Sequence, residues 1–243
     1  MRRAALYAIL LAACGGKSND HPDSGDSTPE AGVRPDARAP DASAMDSGPM
    51  STCSGPGDCH PHDVSSFMPL WKPPTAAHQD KCSAQFIDDV WQDCLSPNAT
   101  MMSCDKWYGM TSDAAHQACV ECLFTPETQQ KLGPLYTFDY TEDINYAGCL
   151  ALLDPNELAC AKAVQAAQQC GEAACLSSCP VLDIPSYYEF EKCVQLSQTS
   201  CGCQSWQQKA VCSNSLTGPG AKCFSGNNWH QSYTIVGTLF CGP

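Results

Sequence analysis

The chain has 243 residues and a formal net charge of −13, and all four of its arginines, Arg2, Arg3, Arg34 and Arg38, lie before Cys53. From Cys53 to the end, eight lysines face nineteen carboxylates, a balance of −11 without a single guanidinium. Nucleic acid and clustered phosphates require a basic stripe and forked donors, so no nucleic-acid partner is expected, and adhesion to anionic lipid headgroups is disfavoured on the same ground.

The first element is a short targeting segment. Arg2 and Arg3 precede an apolar run of ten residues, 4–13. As a helix such a run reaches only about 15 Å, half of a ~30 Å hydrocarbon core, so it has the length of a signal-peptide core and not of a membrane span. It closes on Leu11-Ala12-Ala13-Cys14. In this pattern, placed after the apolar run, the chain resembles bacterial lipoproteins. The resemblance implies that residues 1–13 are a signal peptide cut before Cys14, that Cys14 is lipidated, and that the protein meets a membrane through that lipid. Gly15, where an aspartate would hold a lipoprotein at the inner membrane, resembles lipoproteins passed on to an outer membrane. The expected location is therefore the cell envelope, with the domain in the periplasm or at the cell surface.

Residues 14–52 are the expected tether. Asp, Ser, Gly, Pro and Ala dominate it, it has no aromatic residue, and Val33 is its single β-branched aliphatic. Such a segment cannot bury enough apolar surface to offset its chain entropy, and as a coil it separates its ends by roughly 30–40 Å.

Residues 53–243 form the cysteine-rich domain. Its eighteen cysteines are Cys53, Cys59, Cys82, Cys94, Cys104, Cys119, Cys122, Cys149, Cys160, Cys170, Cys175, Cys179, Cys193, Cys201, Cys203, Cys212, Cys223 and Cys241. An even count at this density beyond the inner membrane reads as up to nine disulfides, whose connectivity the sequence leaves open.

The domain opens irregularly, with Pro61, Pro69, Pro73 and Pro74 keeping the chain extended to about Ala76. His60, His62 and His78 fall here, beside Asp58 and Asp63. On an extended segment the rings of His60 and His62 project to one side, a geometry that with a carboxylate suits Zn²⁺ or Cu²⁺, so these three histidines are the metal-site candidates; the competing expectation is a polar loop stapled by Cys59. Cys59-His60-Pro61-His62-Asp63 also resembles the Cys-x-x-His-Asp core of secreted phospholipases A2, which implies a catalytic histidine at His62 on a long helix. The sequence departs from that family in carrying Asp58 where a second cysteine belongs and Pro69, Pro73 and Pro74 soon after.

Helical periodicity begins at Cys82. Ser83 caps a helix whose face is Phe86, Ile87, Val90, Trp91, Cys94 and Leu95. Ser96-Pro97 predicts a second helix running to Tyr108 and stopped by Gly109. A third covers 113–123, and Thr125-Pro126 starts a short fourth that ends at Gly133-Pro134. Residues 135–140 have strand content. Asp139, Glu142, Asp143 and Asn145 after them read as an exposed acidic turn, the alternative being a Ca²⁺ cluster without EF-hand spacing. A helix follows over 145–153. Asp154-Pro155-x-Glu157 is a capping box opening a helix that Gly171 closes, a short helix covers 173–179, and Ser186-x-x-Glu189 opens one to about Gln198. A last helix lies near Cys212, and 233–240 reads as a strand pairing with 135–140. The fold class is mainly α: a disulfide-rich bundle of short helices with a small two-stranded β element. Cys94, Pro97, Cys104, Cys119 and Cys122 recur as Cys149, Pro155, Cys160, Cys175 and Cys179, which suggests a duplicated helix-loop-helix unit.

The motifs point away from catalysis. Cys119-Val-Glu-Cys122 has redox spacing but sits late in an amphipathic helix, and the sequence holds no Gly-x-Ser-x-Gly, His-Glu-x-x-His, P-loop or dinucleotide glycine pattern, so no cofactor is expected. Lipobox, tether and cysteine-dense domain together resemble the cysteine-rich lipoproteins of myxobacteria. The expected function is a membrane-anchored envelope lipoprotein with a non-catalytic structural or recognition domain, its partner an envelope protein or glycan. The alternatives are a metal-binding module built on His60, His62 and His78, and a small disulfide-stabilised hydrolase.

Overall fold

A computed structural model describes residues 59–243 apart from 109–112, 139–140, 183 and 200. The signal segment, Cys14, the tether, Cys53, Gly109 and Asp139 lie outside the described residues.

The described chain is mainly helical, disulfide-rich, and carries one small sheet. Helix α1 (Ala84–Val90) starts where Ser83 accepts the Phe86 N–H and runs into a π-helical turn, Trp91–Leu95. Its expected apolar face is the buried one, with Ile87, Val90, Cys94 and Leu95 in the core. Helix α2 (Met101–Tyr108) begins later than Ser96-Pro97 predicted. Thr100 takes the capping position instead, its Oγ1 accepting the Ser103 N–H at 3.0 Å. Helix α3 (Ala114–Leu123) is capped by Asp113, whose carboxyl is lowered by the His116 backbone N–H that it accepts.

The expected fourth helix at Thr125-Pro126 is a strand, β1 (Phe124–Pro126), parallel to β2 (Leu135–Phe138), which pairs antiparallel with β3 (Thr141–Ile144). The tight return between β1 and β2 needs Gly133. A β-carbon there would stand 2.8 Å from the Cys122 carbonyl oxygen, and the Gly133 N–H donates to Thr125 Oγ1 at 2.8 Å.

Helix α4 (Tyr146–Leu153) is capped by Asn145, and a 3₁₀ turn, Pro155–Glu157, leads into α5 (Leu158–Cys175). Gly171 does not close α5. The helix runs through it and absorbs the start of the short helix expected over 173–179. The glycine serves packing: a β-carbon would stand 2.8 Å from Val194 Cγ1 of α6 (Ile184–Thr199), so its absence lets the two helices approach. Helix α7 (Gln204–Ala210) and two 3₁₀ turns, Val211–Ser215 and Pro219–Phe224, precede α8 (Trp229–Cys241).

The strand expected over 233–240 is therefore a helix. Asn228 caps it, accepting the Gln231 N–H, and Tyr233, Val236, Gly237 and Phe240 lie buried at the i, i+3, i+4, i+7 spacing of a helix face. The β element is accordingly the three strands of 124–144 and not a pair with the C-terminus.

Residues 59–82 form a strap with no regular helix. The Leu70 and Lys72 N–H groups donate to Gln169 Oε1 (3.1 Å) and Gln165 Oε1 (2.7 Å) of α5, whose amide nitrogens return bonds to the Leu70 and Lys72 carbonyls at 2.9 and 3.1 Å. Farther along, Thr75 and Leu132 bond across to the sheet region, and the N–H groups of His78, Gln79, Lys81 and Cys82 donate to the carbonyls of Leu239, Phe240, Cys241 and Cys241. Those donors satisfy the orphan carbonyls at the end of α8. His78 and Asp80 hold left-handed backbone (φ 49° and 52°) to make this turn.

Disulfides join what the helices bring together. Among the described residues the pairs are Cys59–Cys179, Cys82–Cys119, Cys94–Cys104, Cys122–Cys241, Cys149–Cys223, Cys160–Cys212, Cys170–Cys203 and Cys175–Cys193. Helix α5 carries three of them, and of the described α-helices only α1 and α7 carry none, with Cys82 two residues before α1 and Cys203 just before α7. Cys201 is also disulfide-bonded. The pairing does not repeat the sequence echo: Cys94 pairs with Cys104, whereas their counterparts Cys149 and Cys160 pair with Cys223 and Cys212. A domain closed by this many disulfides belongs to an oxidising, extracytoplasmic compartment. Among the described residues no helix is long and apolar enough to cross a membrane.

Candidate functional site

The three candidate metal histidines are not assembled. His60 and His62, with ring centroids 6.0 Å apart, lie against the C-terminal end of α5, where the Ser178 hydroxyl donates to the His60 carbonyl and the His62 N–H to the Ala174 carbonyl. His78 belongs to the far end of the strap, its Nδ1 2.8 Å from the Pro243 carbonyl oxygen. Asp63, the expected carboxylate partner, accepts from Ser65 within its own turn. The segment is not helical, so His62 lacks the long helix that the phospholipase resemblance implied. Among the described residues, the one group of three metal-type ligand atoms in mutual reach is the sulfurs of Cys59, Cys179 and Cys193, within 4.8 Å of one another. These belong to two adjacent disulfides and have no thiolate to offer. Cys119 and Cys122 pair separately, with Cys82 and Cys241, which removes a dithiol redox site there.

The acidic stretch after β2 is where the structure departs most usefully from expectation. Glu142 and Asp143 are not an exposed turn: they lie on β3 under α5 and α6, partly buried. Asn145 is no metal ligand but a buried helix cap, its Oδ1 accepting the Gly148 N–H at 2.7 Å and its Nδ2 donating to the Leu132 and Gly133 carbonyls.

Asp143 opens onto a cleft of about 390 Å³ between α5, α6 and α7, a volume in the range of small-molecule sites. Its polar lining includes Asp143, Glu172 and Glu191 from three different elements, with Tyr146, Gln168, Gln198, Gln207 and Asn214. Val164, Ala167, Phe190, Val194, Ala210 and Val211 supply the apolar wall. Among the described residues no lysine, arginine or histidine lines it.

At its deep end the Tyr136 hydroxyl donates to Glu172 Oε1 at 3.1 Å and lies 3.4 Å from Asp143 Oδ2. The Asp143 and Glu172 carboxyls hydrogen-bond each other, and both are raised, first by burial; the charge of Asp143 adds to the rise at Glu172. Burial followed by the charge of Asp143 pushes Glu142 to about 8 and Glu191 to about 7. Tyr136, Tyr146 and Tyr187 are raised too, again by burial first. The cause is common to all: acidic groups gathered away from water give up their protons less readily than exposed ones. Sequence reasoning named Glu142 and Asp143 but missed Glu172 and Glu191, which read as ordinary polar positions of two separate helices. No local signal marks them.

No protein-family model, no curated protein and no solved structure matches this chain.

Proposed function

We propose that this protein is a cell-envelope lipoprotein, cut and acylated at Cys14, whose tether 14–52 presents residues 53–243 as a non-catalytic recognition domain. The observation that carries the reading is one of parity. All seventeen described cysteines are in disulfides, and eight pairs among themselves leave only Cys201 with its partner outside the described residues. Cys14 and Cys53 are the two cysteines there. Pairing Cys201 with Cys53 completes nine bridges and leaves Cys14 as the odd thiol, the one the lipobox pattern marks for acylation. A small domain whose helices are fixed covalently is a rigid holder for the acidic cleft, and rigidity of the unbound site is what recognition gains from preorganisation.

The test is mass spectrometry of protein extracted from its native membranes. The expected peptides are an N-terminal one beginning at a diacylated Cys14 and a Cys53–Cys201 cross-link. An uncleaved N-terminus, or a Cys14–Cys201 bridge, overturns the proposal.

A further inference from the structure

We propose that the cleft between α5, α6 and α7 binds a small organic amine, with the ammonium head at the Asp143–Glu172 carboxyl pair and Glu191, and an apolar body along Val164, Val194 and Val211. This names the ligand class for the recognition reading above and rests on it.

Three features of the cleft carry the inference. The first is charge. Carboxyls contributed by β3, α5 and α6 face one cleft, and among the described residues no basic side chain lines it to supply the counter-charge that buried acids ordinarily have. The second is an unmet acceptor: Gln168 Oε1, in the cleft wall, is buried without a hydrogen-bond partner, while its Nε2 already donates to the Ile144 carbonyl. That one acceptor is therefore open to a donor from a ligand, and an ammonium group is a donor with positive charge. The third is shape. A bare divalent ion needs several oxygen ligands within coordination reach and no apolar wall, whereas here the described carboxylates form no such group of three and one side of the cleft is aliphatic and aromatic. An amine with a short hydrocarbon body matches the charge, the donor and the wall together.

When the cleft is empty, burial raises the acids so that Glu142 and Glu191, near 8 and 7, hold part of their protons at neutral pH; an ammonium ion placed beside them favours the ionised form. Binding is then accompanied by proton release. The carboxyls that titrate there are Asp143 and Glu142 on β3, Glu172 on α5 and Glu191 on α6; Tyr187 on α6, Tyr136 on β2 and Tyr146 on α4 are raised and stay protonated, and Glu127 acts on Glu172 from beyond β1.

The experiment is calorimetric titration of the oxidised, full-length protein with n-pentylamine, with 1-pentanol as the uncharged match and CaCl₂ as the metal arm, near neutral pH in two buffers of different ionisation enthalpy. Pentylamine is expected to bind with net proton release, and at least about tenfold more tightly than pentanol or Ca²⁺, a difference of about 1.4 kcal/mol. Glu172→Gln and, from a separate wall, Glu191→Gln should each weaken it about tenfold and cut the released protons, with unchanged circular dichroism showing that each variant is folded. Binding of pentanol or Ca²⁺ as tight as that of the amine, or amine binding that both variants leave intact, overturns the ligand class while leaving a recognition cleft. Absence of binding by all three probes overturns the site, and the acylation of Cys14 is judged separately by mass.

Discussion

Gln165 of α5 holds the backbone of Lys72 at both polar groups, its Oε1 accepting the Lys72 N–H at 2.7 Å and its Nε2 donating to the Lys72 carbonyl at 3.1 Å. Gln169, one turn on, does the same for Leu70. Two glutamines at i and i+4 thus act as a strand edge would, giving an irregular strap the backbone partners it cannot find in itself. Gln165 is 2% exposed, and Gln165→Ala leaves the two partly buried main-chain groups of Lys72 without these partners. The expected cost is about 1–3 kcal/mol, read as a lowered denaturant midpoint with disulfides intact. A change within a few tenths of a kcal/mol would show that the Gln165 clamp adds nothing to the strap's other bonds and bridges.

Asn145 is a second buried amide with three tasks: it caps α4 and bonds the carbonyls of Leu132 and Gly133. Asn145→Ala should destabilise by about 2–4 kcal/mol, the sum of a lost cap and orphaned carbonyls. Asn145→Asp keeps the cap acceptor and loses the two donated bonds, so it should fall between wild type and alanine in the same denaturation series.

Stability should fall as pH rises. Glu142 and Glu191 have folded values near 8 and 7, above the ~4.3 of an exposed glutamate. Below about pH 4 both states are protonated and the folded state is at its best. Between there and 8 the unfolded chain ionises first, and the advantage is lost. Tm should therefore be lower at pH 8.5 than at pH 5, and Glu142→Gln should flatten that slope. Parallel profiles for wild type and variant would remove Glu142 as the cause.

Bridges should differ in worth by the loop each closes. Removing Cys94–Cys104, ten residues apart, should cost about 3 kcal/mol; removing Cys122–Cys241, 119 apart, about 5 kcal/mol as an upper bound, because other bridges already shorten that loop. Paired Cys→Ser variants compared by denaturation give the ordering, and a reversed order would mean that packing around α2 outweighs chain entropy.

Much of the helix inventory was legible because caps are local. Ser83 and Asp113 accept the N–H three residues on, as their types predict, and Asn145 starts α4 where the helix period begins. The misreadings have physical sources. Gly171 looked like a stop because glycine ends many helices; here it answers to Val194, a residue twenty-three positions away. Residues 233–240 are rich in β-branched and aromatic types, and that propensity yielded to a cap at Asn228 and a buried face against the core. Disulfide partners separated by up to 120 residues leave no trace in local spacing. The acidic cleft was half visible: Glu142 and Asp143 were noticed as a cluster, but Asp143 meets Tyr136 of β2 and Glu172 of α5 only in the folded chain, a tertiary fact.

The bridges Cys59–Cys179 and Cys122–Cys241 overlap in sequence, so every peptide bond from 59 to 241 is spanned by at least one of them. A single protease cut anywhere in that interval leaves both pieces on one molecule while the bridges are intact, and shedding a fragment takes either reduction or a second cut. For a protein of an extracytoplasmic compartment, a nick is then a wound that does not separate the halves.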